Sequence, residues 1–308
     1  MKLCIACPII ALLFFFFQQS SAQLHQISIT DPVSPKTFFT QNAGKIPLVS
    51  AHRGGPYPGF AENCIPTFAH VLSKTWAILE FDVELTKDSV MVLMHDRTLN
   101  RTTNGSGAIS DKNYAEMKAL RLKDNDGKLT NDTIPTLDQT LQWLKGKTIA
   151  TVDVKKNVPF EGVIDAIRRN GVASHCVVIT YSIQDMLKVH QLAPEIMISA
   201  TIRSLDEFER VKATGVDLTR LIAFTGVSEA PPALLTALHA AGIPNIIGTM
   251  GNLDNRAKAR GDGLYQELFT RGFHVFATDR PLEAAAIFYT PTVKENLLKS
   301  KDFFFILP

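Results

Sequence analysis

The sequence predicts an α/β fold: a (β/α)8 TIM barrel with a small insertion after the second strand. Three observations predict it. Eight apolar, strand-like runs recur through roughly 250 residues of the chain. Amphipathic stretches with apolar residues three and four apart lie between them. Glycine closes several of these stretches just before the next strand begins. Repeated strand–helix units imply parallel strands joined by crossovers, and eight of them suit a closed barrel. A doubly wound open sheet would satisfy the same alternation, but no glycine-rich nucleotide turn follows an early strand.

In chain order, residues 1–22 read as a cleaved secretory signal peptide rather than as structure. Lys2 supplies a short positive region, 9–17 is almost wholly apolar, and Ser20 and Ala22 place small side chains before a cut. The apolar run falls short of the about 20 residues that a membrane span needs. An exported chain is expected, periplasmic or secreted, with no stable membrane insertion after cleavage. Residues 23–44 are an N-terminal extension and 45–308 the barrel domain.

The first two strands are expected at 46–52 and 78–84. The run at 90–95 is surplus. It follows after a gap too short for a parallel crossover, so it is expected to be an antiparallel excursion on the barrel's C-terminal side. Residues 97–135, rich in Asn, Asp, Thr and Lys, form the insertion, and a segment that long is usually functional. A helix at 136–145 follows. Strands at 148–155, 176–181, 196–201, 221–225, 245–250 and 275–279 then alternate with helices at 160–170, 183–192, 204–213, 231–241 and 261–271. Gly171, Gly215, Gly242 and Gly272 mark helix ends. The apolar end at 301–308 is expected to dock onto the barrel.

Hydrophobic residues make up 45% of the chain and charged residues 20%, which is ample for a buried core. The formal charge is +2, from 32 basic and 30 acidic residues. No nucleic-acid partner is expected, because neither a basic excess nor a local basic run appears. Signal cleavage leaves only Cys64 and Cys176, read as buried free thiols rather than a disulfide framework.

The chemistry concentrates between His52 and Asp96, in HRGG (52–55), GFAEN (59–63), EFDVE (80–84) and MHD (94–96). Side chains alternate along a strand, so Glu80, Asp82 and Glu84 share one face. Carboxylates turned inward at a barrel mouth repel each other unless a cation compensates. Asp153 and Lys155 repeat the arrangement on the next strand, in TVDVK. Converging carboxylates make an all-oxygen site suited to Mg²⁺ or Ca²⁺ rather than zinc. His52 ends the first strand and His95 ends the excursion, and a histidine can act as general acid or base near neutral pH. Arg53 offers a forked donor to a phosphate oxygen. As neighbours on a strand, His52 and Arg53 would face opposite sides, so a turn must bring Arg53 around. A metal site, a phosphate grip and two proton carriers together point to phosphodiester cleavage.

HRG, EN ten residues on, ExD, then HD followed by LNRTTNGSG resembles the glycerophosphodiester phosphodiesterase family. VDVK (152–155) and FATDRP (276–281) continue the resemblance in the same order, so it covers most of the mature chain. The resemblance implies a barrel enzyme that uses a divalent cation, Mg²⁺ or Ca²⁺, to hydrolyse a small-molecule glycerophosphodiester to glycerol 3-phosphate and an alcohol. It implies Glu80, Asp82 and Asp153 as metal ligands and His52 and His95 as the acid–base pair. Arg53 and Lys155 would bind phosphate, with Glu62 and Asn63 in metal or substrate positioning.

The chain departs from the family pattern at three places. Asp153 stands where many members have glutamate, and Cys64 where threonine is common. The seventh strand runs into TMGNLDNRAKARGD, where the family usually carries an aromatic residue against the substrate. Asn252, Asp254, Arg256, Arg260 and Asp262 there either read a polar head group such as a polyol or form a solvated, salt-bridged loop. Two other functions stay open: a lyase-type barrel that acts on a phospholipid and stops at the cyclic phosphate, and a non-catalytic phosphodiester-binding barrel.

Overall fold

The structure, a computed structural model, describes residues 23–29, 34–299 and 304–308. The expected signal segment, with Cys4 and Cys7, lies outside the described residues.

Eight parallel strands close into a barrel: β1 Leu48–Ala51, β2 Ile78–Leu85, β3 Ala150–Val154, β4 Cys176–Thr180, β5 Met197–Thr201, β6 Leu221–Phe224, β7 Asn245–Gly248 and β8 Val275–Thr278. β8 returns to β1 in register from Val275 opposite Leu48 to Thr278 opposite Ala51, and β1 pairs in turn with β2. The strands read as apolar runs because both faces are buried, one in the barrel interior and one under the helices. They are one or two residues shorter than the apolar runs at several ends. The chain leaves the sheet just before His52, Tyr181 and Asp279, freeing those residues for the mouth.

The crossover helices begin where polar side chains satisfy their free amides. Thr136 and Gln139 cap each other at the start of Leu137–Leu144, and Ser182 and Ser204 accept from the amides of Asp185 and Glu207. Gly171 and Gly215 follow helices in the left-handed region, at φ 65° and 73°, where a side chain would be strained.

Met91–Leu93 pairs antiparallel with β2, Val83 opposite Leu93 and Leu85 opposite Met91. The surplus run is therefore the expected excursion. The insertion beyond it carries a small hairpin of Arg121–Lys123 with Leu129–Thr133. It also has its own buried cluster, which includes Cys64, Met94, Leu99, Ile109, Met117 and Leu122. Cys64 and Cys176 are buried free thiols.

The two ends of the chain meet where the barrel strands start. Gln26–Ile27 pairs antiparallel with Phe305–Ile306, and the Ile27 amide donates to the Lys147 carbonyl. Trp76 Nε1 donates to the Ile306 carbonyl, and Phe305 packs on the Trp76 ring. The apolar C-terminus thus docks on the barrel, over its described part. Among the described residues, no helix is long and apolar enough to cross a membrane.

Candidate active site

β2 and β3 pair with Asp82 opposite Asp153 and Glu80 opposite Thr151. Residues in register on parallel neighbours share a face, so the two aspartates stand side by side and Glu80 lies one step deeper on the same face. One carboxylate oxygen from each of Glu80, Asp82 and Asp153 lies within 4.8 Å of the others, and all three residues are buried. They line a cavity of about 200 Å³ at the C-terminal mouth, together with His52, His95 and Lys155. Space exists there because Ser50, Ser199 and Ala277 are small. Ile179, Phe224, Ile246 and Met250 form an apolar wall and Tyr181 stands at the rim.

At the end of β1 the chain turns sharply over His52–Gly54. Arg53 takes the left-handed conformation, φ 51° and ψ 30°, uncommon for a residue with a side chain. This turn removes the alternation that would have sent Arg53 away from His52. Gly54 is required beside it, since an added Cβ would lie 2.2 Å from the Phe68 ring. The Arg53 amide donates to Glu80 Oε2 at 2.6 Å, which fixes that carboxylate.

Each histidine carries a carboxylate on Nδ1. His52 Nδ1 lies 2.7 Å from Asp279 Oδ1, and His95 Nδ1 lies 2.8 Å from Asp96 Oδ1. A carboxylate partner calls for a proton on Nδ1, which leaves Nε2 of each ring to exchange protons. Burial works to lower the His52 pKa, but the Asp279 hydrogen bond and the Glu80 charge outweigh it, and the net shift is upward.

Burial and the charge of Asp82 push the Glu80 carboxyl up to about 8. Burial also works against the Asp82 charge, but the Lys155 ammonium and a hydrogen bond from Asn63 hold Asp82 below the usual carboxylate range. For Asp153 burial prevails over Lys155, and its pKa is raised. Lys155 Nζ contacts Asp82 Oδ1 at 2.5 Å and Asp153 Oδ2 at 2.6 Å.

Six of the nine residues expected from the sequence line the cavity: His52, His95, Glu80, Asp82, Asp153 and Lys155. Arg53, Glu62 and Asn63 stand behind it. Asn63 clamps Asp82, donating to its Oδ2 at 2.7 Å and accepting from its amide at 2.9 Å. Both oxygens of Glu62 face guanidinium groups, Arg101 at 2.7 and 2.8 Å and Arg53 at 3.3 Å. Neither side chain lines the cavity. Glu84 is buried but lies outside the cavity lining, and it accepts from the Leu85 amide.

The profile of the glycerophosphoryl diester phosphodiesterase family matches residues 52–277, the span that carries all nine residues expected from the sequence. The chain belongs to this family. A crystal structure of a glycerophosphoryl diester phosphodiesterase from Parabacteroides distasonis is 30% identical with a TM-score of 0.81, and the match covers 92% of this chain and 100% of that one. A glycerophosphodiester phosphodiesterase from Caldanaerobacter subterraneus subsp. tengcongensis is 30% identical over 158 residues, 49% of this chain and 65% of the relative. The match therefore spans just under two thirds of that relative's length. A phosphodiesterase from Oleispira antarctica, solved in complex with the product sn-glycerol-3-phosphate, shares the fold at 21% identity, with a TM-score of 0.60 over 80% of this chain and 98% of that one.

Against the family pattern, the segment after β7 needs correction. Asn252–Arg260 is a helix, not an open loop, and its Asp254 and Arg256 are already partnered. Asp254 is buried and accepts from Thr278 Oγ1, the Tyr265 hydroxyl and the Asp279 amide. Arg256 pairs with Glu229, and Asp262 with Arg280. The second alternative for this segment, partnered charges, is the one the structure favours, although the segment is helical.

Sequence reasoning passed over Asp96, Arg101 and Asp279. All three lie inside motifs already singled out, MHD, LNRTTNGSG and FATDRP. The distant partners could not be read from spacing, because Asp279 meets a histidine 227 positions away and Arg101 meets Glu62 39 positions away.

Proposed function

We propose that this chain hydrolyses glycerophosphodiesters to sn-glycerol 3-phosphate and an alcohol. One observation carries the reading: two histidines, each backed by an aspartate on Nδ1, border the same cavity as a buried carboxylate triad. A site built only for binding has no need of two such proton carriers. The product named for the Oleispira antarctica structure supports the choice of substrate class.

The triad fits a divalent cation. Asp153 Oδ1 is buried with no hydrogen-bond partner among the described residues, and Glu80 is crowded enough to titrate near 8. Glu80, Asp82 and Asp153 would hold the ion, and their oxygen-only donor set suits Mg²⁺ or Ca²⁺. When bound, the cation would stabilise negative charge on the phosphate oxygens.

The remaining work falls to the chain itself. Lys155 places an ammonium beside the carboxylates at the cavity, where it would meet a phosphate oxygen, and Arg53 stands behind Asp82. One histidine Nε2 takes the proton of the glycerol 2-hydroxyl as that oxygen attacks phosphorus. The other protonates the departing alcohol oxygen, giving a cyclic phosphate. Water then opens the ring with the two histidines in exchanged roles. The apolar wall of Ile179, Phe224, Ile246 and Met250 packs against the carbon face of the glycerol. Met250 there occupies the side where the family usually has an aromatic ring.

A panel of glycerophosphodiesters assayed with Mg²⁺, Ca²⁺ and EDTA tests the reading. Release of sn-glycerol 3-phosphate that stops in EDTA is expected; turnover of no diester, accumulation of the cyclic phosphate alone, or turnover that persists in EDTA would count against it. Export through cleavage after residue 22 belongs to the same proposal, and N-terminal sequencing of the mature protein tests it, with Gln23 as the expected first residue.

A further inference from the structure

We propose that Arg101, in the insertion, is a positioning residue that sets His95 in place at the cavity and Arg53 behind it. The inference rests on the phosphodiesterase reading for its kinetic consequence, and on geometry for the rest. The Arg101 guanidinium reaches two carboxylates at once. Its Nε and Nη2 contact Asp96 at 2.7 and 2.9 Å, and its Nη1 and Nη2 contact Glu62 at 2.8 and 2.7 Å. Asp96 in turn holds His95 Nδ1, and Glu62 faces Arg53 Nη1.

An unbroken row of polar contacts therefore runs His95, Asp96, Arg101, Glu62, Arg53. It joins the excursion to the turn after β1, two segments that share no strand pairing with each other. A half-exposed ion pair is ordinarily worth little, but a planar fork that binds two carboxylates in two-point contacts fixes direction as well as distance. Glu62 is only 6% exposed while Arg101 covers it, and removal of Arg101 leaves Arg53 as its remaining guanidinium contact. It would draw the Arg53 guanidinium fully to itself, while Asp96 would swing free and release His95.

Lysine cannot substitute, because an ammonium is a single point charge with no fork to span both partners. In Arg101→Ala and Arg101→Lys, kcat for a diester that the native protein turns over should fall about 10- to 100-fold with KM little changed. Guanidinium ion at low millimolar concentration should restore part of the Arg101→Ala loss and none of the Arg101→Lys loss. Arg121→Met, which alters another guanidinium of the same insertion bonded to the Asn131 carbonyl, should leave kcat unchanged.

A second readout needs no substrate. Imidazole ¹⁵N NMR of the native protein should show His95 as a single Nδ1–H tautomer, and Arg101→Ala should show a mixture. Unchanged kcat and an unchanged His95 spectrum in Arg101→Ala would overturn the proposal. So would a kcat loss that guanidinium does not rescue and Arg121→Met reproduces. A native protein inactive on every diester would instead sink the proposed function, and the His95 spectrum would still decide the role of Arg101.

Discussion

Asp279 holds His52 by a 2.7 Å contact to Nδ1, and its own amide is held 2.8 Å from the buried carboxylate of Asp254. The histidine at the end of β1 is thus oriented by the residue after β8, across the seam where the barrel closes. The seam is both a structural closure and a source of alignment for the site.

Asp279→Asn keeps the shape but removes the charge that supports a protonated His52. We expect kcat to fall about 10²-fold, with thermal stability nearly unchanged because Asp279 is half exposed. The Asp279 hydrogen bond raises the His52 pKa, so its removal should move the His52 titration to lower pH. Steady-state kinetics and imidazole NMR across a pH series check both outcomes.

Asp254→Ala should act through Asp279 and not through the substrate. The loss strands the Thr278 and Tyr265 hydroxyls and the Asp279 amide, so stability should drop by about 2–4 kcal/mol. Turnover should fall by the same factor for every head group. A loss confined to polyol head groups would restore the idea that this segment reads the alcohol.

Asp153→Asn should separate cation binding from folding. Three buried carboxylates repel one another, so in EDTA the variant should be at least as stable as the native chain. The native chain should gain about 2.7 kcal/mol at a Mg²⁺ or Ca²⁺ concentration 100 times the dissociation constant, and the variant much less at the same concentration. Thermal or denaturant unfolding with and without the cation measures this.

At the opposite end of the barrel, His274 is buried with its ring stacked 4.5 Å from His239, and its Nδ1 accepts from the Asn245 amide. Burial, aided by the charge of His239, depresses its pKa to about 4. Between pH 6.5 and 4 the unfolded chain therefore binds more protons than the folded one, and stability falls as pH falls through that window. The full effect is about 3 kcal/mol. Denaturant unfolding should show this loss in the native chain, and His274→Asn should flatten it.

The barrel was legible because its strands are buried on both faces and so appear as short apolar runs, with glycine marking the helix ends between them. The groups lining the cavity were legible for a related reason: Glu80, Asp82, Asp153 and Lys155 sit at period two where apolar strands run out. Two kinds of feature were not legible. A turn at Arg53 was expected, but its left-handed conformation and the Phe68 ring that bars a side chain at Gly54 are packing facts with no local sequence mark. The roles of Asp279, Arg101 and Asp254 depend on partners brought close only by barrel closure or by the folded insertion. The charges after β7 left a head-group reader and a salt-bridged loop both open, because their partners Glu229, Tyr265, Thr278 and Arg280 lie in other elements.

The central claim is that His52 and His95 are the two proton carriers of one diester-cleaving site. Turnover of a glycerophosphodiester by His52→Ala and His95→Ala, each saturated with the preferred cation, tests it most directly. The account predicts that each substitution lowers kcat by about 10²- to 10⁴-fold while the protein stays folded. Native-like turnover in either variant would contradict it.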